Sequence, residues 1–442
     1  MTPNQTPSPI DTLPRARTLI RNARIVDPEA QRLFDGAVLI DGATIAEVFD
    51  TPAPADIAAE VDVDARGKVL APGIVDIGVK VGEPGERHKE SFRSAGLAAA
   101  AGGVTTIVTR PDTASPIDTP ETLEFIRRRA NEAAPVHVLP MAALTKGREG
   151  REMTEIGFLM DAGAVAFTDG FAVTSDTKVL SRAMTYAKSL GALVICHPQD
   201  PGLSRGAAAT SGKFASLRGL PAVSSMAERM GLDRDLALVE MTKARYHADQ
   251  ITTARALPAL TRAKDNGLDV SAGVSMHHLT LNELDVADYR TFFKLTPPLR
   301  AEDDRQAVVE ALRSGTLDMI GSFHTPQDEE SKRLPFEEAA SGAVGLETML
   351  PVLMRLYHAD EMDLPTLFRA LSLNPARRLG LGCGRMARGA PADLVLFDPD
   401  KPVIVDRFAL QSKSKNTPFD GARLQGKVLR TFVAGSTVYK SA

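Results

Sequence analysis

The hydrophobic rhythm of the chain changes twice. From residue 18 to about residue 69, short apolar runs alternate with turn residues, as in Val38-Leu39-Ile40 followed by Asp41-Gly42. Asp-Gly between two β-branched runs is typical of a hairpin. The same strand-like pattern returns near the end, at residues 393–397 and 427–433. We therefore predict one small β-domain to which both ends of the chain contribute.

Between these ends, apolar runs alternate with stretches of helical period. Parallel strands need crossover helices, so this alternation fits a TIM (β/α)8 barrel, an α/β fold; an open doubly wound sheet is the alternative, because alternation does not prove closure. Predicted strands are residues 73–79, 105–109, 136–142, 164–167, 193–197, 245–247, 268–274 and 318–322. Predicted helices are residues 90–101, 120–132, 178–190, 224–244, 257–266 and 302–314.

Four segments follow from this organisation. We expect a disordered tail at residues 1–14, rich in Pro, Thr and Ser, because such a composition buries little apolar surface. Residues 15–69 form the N-terminal part of a small composite β-sandwich, and residues 385–442 form its C-terminal part. The barrel spans residues 70–384, a size that leaves room for one large core beside a smaller one.

Composition narrows the classes of partner. The chain has 442 residues, of which 43% are hydrophobic and 24% charged, as in ordinary soluble globular proteins. Its formal net charge of -4, without a sustained basic block, gives no electrostatic reason to expect nucleic acid or a membrane as a partner. Cys196 and Cys383 lie far apart and form no metal-type spacing, which favours a reducing cytoplasm.

Nine segments carry a likeness to a known family. They are Leu70-Ala-Pro-Gly-Ile-Val-Asp76, Glu83-Pro-Gly85, His88-Lys-Glu90, Ala98-Ala-Ala-Ala-Gly-Gly-Val-Thr-Thr106, Pro297-Pro-Leu-Arg300, Gly345-Leu-Glu-Thr348, Asn374-Pro-Ala376, Gly389-Ala-Pro-Ala-Asp-Leu-Val-Leu-Phe397 and Asn416-Thr-Pro-Phe419. Together, and in this order, they resemble a dihydroorotase of the amidohydrolase superfamily in its long bacterial form. The resemblance implies a TIM barrel with a zinc site at the carboxyl ends of its strands and ring hydrolysis in pyrimidine biosynthesis.

The chemistry of that reaction sets a requirement for the site. Opening a cyclic amide at neutral pH needs a hydroxide, which Zn²⁺ supplies by lowering the pKa of bound water, and Zn²⁺ needs several His or carboxylate ligands. In the family, the first barrel strand ends in His-x-His. Here the matching positions are Gly78 and Lys80, and Gly82 stands where the family has an arginine for the substrate carboxylate.

Further positions of the family site are also changed. Gln250 matches a liganding histidine, and Phe323 matches the catalytic aspartate, although a phenyl ring can neither bind a metal nor move a proton. Asp112 replaces a substrate-binding asparagine. Only His197 and Asp169 remain at ligand positions, and two ligands do not make a zinc centre of this type. We therefore expect no cofactor and no catalytic residue.

Several of these residues have two interpretations. Lys80 is either a replacement base or Schiff-base amine, or an ion-pair partner inside an unused pocket. His197 is either a leftover ligand or a structural group. Arg300 and Asn416 are substrate-pocket residues by resemblance, or form loop-closing hydrogen bonds. His277-His278 favour helix-cap and packing roles, because neighbours on a strand point to opposite faces.

These observations give three hypotheses on function. The first is a catalytically inactive dihydroorotase-like protein, most similar to the non-catalytic partner of aspartate carbamoyltransferase, which supports that enzyme and is itself at least a homodimer. The second is an active dihydroorotase or related cyclic-amide hydrolase with a degenerate or single-metal zinc site. The third is an emptied pocket that binds a small effector through Lys80, Arg110 and Arg300.

Overall fold

The N-terminal part of the chain is a helical turn followed by five strands, in a computed structural model that describes residues 9–54 and 56–441. These elements are α1 (Pro9–Thr12), β1 (Thr18–Asp27), β2 (Arg32–Asp41), β3 (Thr44–Phe49), β4 (Val61–Asp64) and β5 (Val69–Pro72). The predicted hairpin is present, since β2 and β3 pair antiparallel around Asp41-Gly42. The expectation of a disordered tail is wrong for residues 9–12, which form a helical turn with Ile10 buried; residues 1–8 lie outside the described residues.

The central domain carries parallel strands in two groups. Its strands are β6 (Ile74–Val79), β7 (Val104–Thr109), β8 (His137–Pro140), β9 (Leu193–Cys196), β10 (Ala209–Thr210), β11 (Ala222–Val223), β12 (Arg245–Ala248), β13 (Val270–Ser275) and β14 (Met319–Gly321). One group runs β6-β7-β8 and the other β9-β12-β13-β14, while β10 and β11 pair only with each other. Phe167 joins the two groups by parallel bridges to Ala142 and Val194. The predicted strand at residues 164–167 is thus present only as bridges.

The first and last of these strands meet without a ladder of backbone hydrogen bonds among the described residues. The backbone N–H of Lys80 donates to the carbonyl oxygen of His324 at 2.8 Å. The backbone N–H of Ser322 donates to Oδ1 of Asp76, also at 2.8 Å. We call residues 76–80 and 321–324 the closing seam. The result is a mixed α/β fold with the parallel strand order that the sequence predicts.

Helices cover the strands. They are α2 (Phe92–Ala101), α3 (Pro120–Ala133), α4 (Ile156–Asp161), α5 (Thr177–Leu190), α6 (Pro201–Ser204), α7 (Lys213–Arg218), α8 (Met226–Thr242), α9 (Leu257–Asp265), α10 (Met276–Thr280), α11 (Glu302–Ser314), α12 (Glu329–Lys332), α13 (Met349–His358), α14 (Leu364–Phe368) and α15 (Asn374–Arg378). The bounds of α5 show why they form where they do. Asp176 accepts the backbone N–H groups of Lys178 and Val179 at its start, and Gly191 ends it in the left-handed conformation. All six predicted helices are present.

The two ends of the chain share one sheet. The C-terminal strands are β15 (Leu394–Ile404), β16 (Arg423–Val433) and β17 (Ser436–Lys440). The sheet order is β17-β16-β15-β5-β1-β2-β3, with β4 paired to β1. Hydrogen bonds join the eight strands into one continuous sheet. The two-layered sandwich stays a prediction. Contribution from both ends agrees with the expected composite origin, because β5 pairs directly with β15.

The small domain packs tightly on the central one. Strand β16 lies against α13 and α2, and the hydroxyl of Thr431 donates to the carbonyl oxygen of Ala100 at 2.7 Å. Val395 reaches the turn that ends α2, where a Cβ on Gly103 would lie 2.7 Å from it. None of the helices within residues 9–54 and 56–441 combines the length and the apolar composition that a bilayer crossing requires.

The closing seam makes stability depend on pH. Burial raises the pKa of Asp76 from 3.8 to about 6, although hydrogen bonds from Ser322 lower it. The native state then holds the Asp76 proton more tightly than the unfolded chain does. The protonated carboxyl therefore adds to the free energy of unfolding, fully below about pH 4, and this stabilisation is lost as the pH rises through about 6. Asp76→Asn cannot ionise. We expect the stability of the wild type relative to D76N to fall by about 2 kcal/mol between pH 4 and pH 7.

Urea denaturation of both proteins at several pH values in this range measures that difference. The asparagine keeps the acceptor for the Ser322 N–H, so the comparison isolates the charge. A stability difference that stays constant from pH 4 to pH 7 would contradict the assignment.

Candidate functional site

A phenyl ring fills the space between the first and last strands at their carboxyl ends. Phe323 follows β14 and is 7% exposed. A Cβ on Gly78 would lie 3.0 Å from the ring, and a Cβ on Gly321 would lie 2.9 Å from it. Gly78 has φ +95°, a conformation that favours glycine. A histidine at position 78 therefore has neither room nor a suitable backbone while Phe323 keeps its place.

The turn after the first strand requires glycine as well. The backbone N–H of Glu86 donates to the carbonyl oxygen of Gly82 at 2.6 Å. A Cβ on Gly82 would lie 2.2 Å from the carbonyl oxygen of Glu86. An arginine at position 82 does not fit this turn, so the missing substrate arginine is part of how the loop is built.

Lys80 lies among carboxylates. Its Nζ is 3.4 Å from Oε2 of Glu86 and 3.9 Å from Oδ2 of Asp112. Asp112 is also bound at both oxygens by Arg110, through Nε at 3.1 Å and Nη2 at 3.3 Å. Burial would raise the pKa of Asp112, but Arg110 and Lys80 outweigh it and hold this pKa below its usual value. This geometry favours the ion-pair interpretation of Lys80.

Arg110 is the most buried cation of this region. Its guanidinium carbon lies 4.3 Å from the ring centre of Phe171, in cation–π contact. Nη2 also donates to the hydroxyl of Thr325 at 3.2 Å. Nη1 is buried and has no hydrogen-bond partner among the described residues. Sequence reasoning did not find Phe171, since no local signal marks it.

Asp169, one of the two remaining ligand positions, is saturated by hydrogen bonds from a neighbouring loop. Oδ1 accepts the backbone N–H groups of Leu144 at 3.0 Å and Thr145 at 2.9 Å. Oδ2 accepts the hydroxyls of Thr145 at 2.7 Å and Thr174 at 3.0 Å. Burial raises the pKa of this carboxyl despite these bonds. The carboxylate therefore anchors the loop at residues 144–145.

His197, the other remaining position, is a buried neutral imidazole. Burial, reinforced by Arg110, Arg300 and His278, lowers its pKa to about 3. Its ring meets Phe171 edge to face at 5.2 Å between centroids, and its Nδ1 has no partner among the described residues. His197 and Asp169 line a common cavity of about 10 Å³, which holds about one water.

The residues at the family's zinc positions do not fit a zinc centre. Gln250, at one of these positions, donates from Nε2 to the carbonyl oxygen of Thr296 at 3.4 Å. Across residues 9–54 and 56–441, no three His, Cys, Asp or Glu side chains form a group that could hold a metal ion. Zinc of this type takes three or four such ligands.

Arg300 belongs to a buried network that sequence reasoning missed. Its Nη2 lies 3.4 Å from Oε2 of Glu228, and its Nε donates to the hydroxyl of Thr252 at 2.9 Å. Glu228 also accepts the backbone N–H groups of Thr252 at 2.9 Å and Thr253 at 2.8 Å. The arginine therefore neutralises a carboxylate that holds the turn after β12. No local pattern marks Glu228, which lies in the first turn of α8.

Asn416 joins three loops. Its Nδ2 donates to the carbonyl oxygens of Thr325 and Gly342, both at 3.0 Å. Its Oδ1 accepts the backbone N–H of Gln327 at 3.2 Å. All of these bonds are to backbone, which favours the loop-closing interpretation over substrate contact.

The histidine pair lies in a short helix rather than on a strand. Ser275 caps α10 by accepting the backbone N–H of His277 at 3.1 Å. The ring of His277 stacks on Phe419 with centroids 5.8 Å apart. Packing, one of the two predicted roles, agrees with this placement, whereas the cap is Ser275 and the predicted strand geometry is wrong.

A cavity of about 130 Å³ lies at the carboxyl ends of the strands. Among the residues singled out from sequence it brings together Lys80, Arg110, Asp112, Gln250, His277, His278 and Phe323, but not Asp169, His197, Arg300 or Asn416. The other residues that line it are Phe171, Ser275, Leu295, Thr296, Thr325, Gln327, Ser341, Gly342 and Ala343.

Comparison with known proteins decides the family. A family model described as dihydro-orotase-like matches residues 67–256. A protein named dihydroorotase from Wolbachia sp. subsp. Drosophila simulans is 39% identical over 421 residues, which cover 95% of this chain and 94% of that protein. The chain belongs to the dihydroorotase family. A protein named dihydroorotase-like, from Pseudomonas aeruginosa, is 38% identical over 95% of this chain and 99% of its own length.

Solved structures extend the likeness of the fold. The L-hydantoinase (dihydropyrimidinase) of Arthrobacter aurescens superposes with a TM-score of 0.87 over 96% of each chain, at 24% sequence identity. At this identity the likeness concerns the fold alone. The dihydroorotase-family chain thus shares the architecture of hydantoinases over nearly its full length.

The two remaining ligand positions give a test by stability. Asp169→Ala leaves two backbone N–H groups and two hydroxyls without their acceptor, and we expect a loss of about 3 kcal/mol or more in the free energy of unfolding. His197→Leu removes a ring whose Nδ1 has no partner, and we expect less than about 1.5 kcal/mol. Urea denaturation in the presence of a chelator measures both.

The same measurement with added zinc is the control. Because Asp169 acts through hydrogen bonds, its loss should cost the same with and without the metal. If zinc raised the free energy of unfolding of the wild type and either substitution abolished that increase, Asp169 and His197 would be metal ligands and the structural role assigned to them would be wrong.

Proposed function

We propose that this dihydroorotase-family protein does not hydrolyse a cyclic amide. The observation that carries the proposal is the Phe323 ring, which occupies the space beside Gly78 and Gly321 where the family places a catalytic aspartate and liganding histidines. Hydrolysis needs a polarising cation and a group that moves protons between water and the leaving nitrogen. A phenyl ring supplies neither.

The carboxyl groups near the cavity support the same proposal. Asp112 is bound at both oxygens by Arg110, and its lowered pKa makes it a poor proton acceptor at neutral pH. Asp249 has its pKa raised to about 7, chiefly by burial, but it does not line the cavity.

The competing function is an active hydrolase. Relatives of 36–39% identity are named dihydroorotase, and this favours an enzyme of cyclic-amide C–N bonds. Such activity here would have to use a degenerate or single-metal site at His197 and Asp169. The four hydrogen bonds that Asp169 already accepts weigh against that use.

Zinc content and turnover separate the two functions. For protein purified with zinc in the medium, we expect far less than one zinc per chain by elemental analysis and no conversion between dihydroorotate and carbamoyl-aspartate above background. The Wolbachia dihydroorotase, prepared in the same way, is the positive control. Stoichiometric zinc together with turnover would overturn the proposal.

We further propose that the protein is a structural partner of aspartate carbamoyltransferase in pyrimidine biosynthesis, as at least a homodimer in the cytoplasm. This proposal rests on the family resemblance together with a site whose chemical groups are replaced while the strand and helix framework is kept. A protein that keeps the fold without the catalytic groups has a role other than hydrolysis. Assembly with a second enzyme of pyrimidine biosynthesis is such a role.

Light scattering after size exclusion tests the partnership. We expect the chain and aspartate carbamoyltransferase from the same cell to form one species larger than either protein alone, at low and at moderate salt. The D169A variant is unsuited as a control because it loses stability, whereas H197L keeps the surface unchanged and should assemble normally. Separate elution at both salt concentrations would contradict the partnership.

A further inference from the structure

A second cavity, of about 350 Å³, lies beside β8 and shares no lining residue with the cavity at the carboxyl ends of the strands. The neighbouring segment pairs with β8 only at the end of that strand, where the backbone N–H of Val165 donates to the carbonyl oxygen of Pro140 at 3.2 Å. Among the described residues, no backbone hydrogen bond joins residues 137–139 to residues 162–164. The second cavity therefore lies where this segment diverges from β8.

Part of the lining of the second cavity is apolar. Ile10 of α1 lines it together with Val136, Val138 and Leu139, which belong to β8 or directly precede it. Cavities that bind small organic molecules begin at about 300 Å³ and combine an apolar lining with a few polar groups. The second cavity thus has the size and the apolar surface for an organic molecule rather than for a single ion.

Arg127 of α3 gives the second cavity a cation that is held in place. Its Nη1 donates to the carbonyl oxygen of Ala162 at 2.7 Å. A Cβ on Gly163 would lie 2.7 Å from Nη1 and 3.0 Å from Nε, so the guanidinium packs against the backbone of this glycine. Arg15 of the same cavity pairs with Asp11 at 3.1 Å, whereas no carboxylate of the described residues forms an ion pair with Arg127. The Arg127 guanidinium can therefore bind an anion from outside the chain.

His137 adds to the positive charge of the second cavity. Its Nε2 lies 3.4 Å from Oδ1 of Asp393, which does not line the cavity. Burial would lower the pKa of His137, but Asp393 and Asp11 outweigh it and hold this pKa above its usual value. The lining residues thus carry two arginines and a readily protonated histidine against one aspartate. This balance favours an anionic ligand over a cationic one.

We propose that the second cavity binds a small amphipathic anion, whose apolar body lies against Ile10, Val136, Val138 and Leu139 and whose single anionic group pairs with Arg127. Inorganic phosphate alone would leave the apolar lining uncovered, and a neutral molecule would leave the guanidinium without a counter-charge. An anionic oxygen accepts charge-assisted hydrogen bonds from an arginine, which are stronger than bonds between neutral groups.

Two dyes of matched shape test the proposal on the full chain. The dye 8-anilinonaphthalene-1-sulfonate carries one sulfonate, and N-phenyl-1-naphthylamine has the same rings without it. Both become strongly fluorescent when they leave water, so fluorescence titration measures both affinities. We expect both dyes to bind the wild type. Arg127→Met should weaken binding of the sulfonate dye roughly fivefold and change the affinity for the neutral dye less than about twofold.

A neighbouring arginine provides the matched control. Arg128 lies on the same helix and does not line the second cavity. Arg128→Met removes the same charge from the chain, so it should leave the affinities for both dyes unchanged. The comparison separates a contact with Arg127 from a general effect of net charge.

A filling substitution locates the bound dyes. Asn131 is an exposed residue of α3 that lines the second cavity, and Asn131→Trp should abolish binding of both dyes by occupying that space. Glu124→Trp places the same side chain at an exposed position of α3 outside the cavity and should leave both affinities unchanged. Circular dichroism and thermal unfolding check that each variant folds. If R127M does not fold, the pair N131W and E124W still decides the location.

Three results would overturn the proposal. The first is absence of binding of the sulfonate dye to the wild type up to about 1 mM. The second is binding of this dye that persists in N131W, which would place the dye elsewhere. The third is an equal loss of both dyes in R127M, or an equal loss of the sulfonate dye in R127M and R128M, either of which would remove the role of Arg127.

Discussion

The closing seam is the constraint on which the rest of this site depends. The first and last strands are not joined by a ladder, so their approach is set by a few specific contacts: a backbone bond between Lys80 and His324, the Asp76 carboxyl on the Ser322 N–H, and the ring of Phe323 between two glycines. Each contact uses a position at or beside one that the family uses for catalysis. Packing and chemistry compete here for the same space.

The seam is also tied to the small domain. Nδ1 of His324 accepts the backbone N–H of Gly345 at 3.2 Å, which leaves the hydrogen on Nε2 to face Glu90 at 3.3 Å. Glu90 in turn accepts the hydroxyl of Ser412 and the backbone N–H of Lys413. Burial would raise the pKa of Glu90, but bonds from His324 and Ser412 lower it. A buried charge in the central domain thus holds a loop from the C-terminal segment.

Local patterns in the sequence are sufficient to predict the helices, most of the strands and the positions at which this chain departs from the family's metal and substrate residues. Periodicity is a local property, and the family motifs are contiguous, so both can be read along the chain. The contacts that decide the roles are not local. Arg300 meets Glu228 across 72 residues and Ser322 meets Asp76 across 246, and no residue pattern announces either pair. The predicted strand at residues 164–167 is present only as two bridges of Phe167, because an apolar run does not show how many backbone hydrogen bonds it makes with its neighbours.

The pairing of β5 with β15 has a consequence for how the chain is made. On the ribosome the N-terminal strands emerge first and β5 can pair with β1, yet β5 gains its second neighbour only when the segment at Leu394 has been synthesised, after the entire central domain. Until then the sheet has an open edge, and open edges invite pairing with other chains. The nascent protein must pass through a stage in which its central domain is complete and its sheet is not. Truncation of the C-terminal strands would therefore leave β5 with an unpaired edge, which favours aggregation, beside a complete central domain.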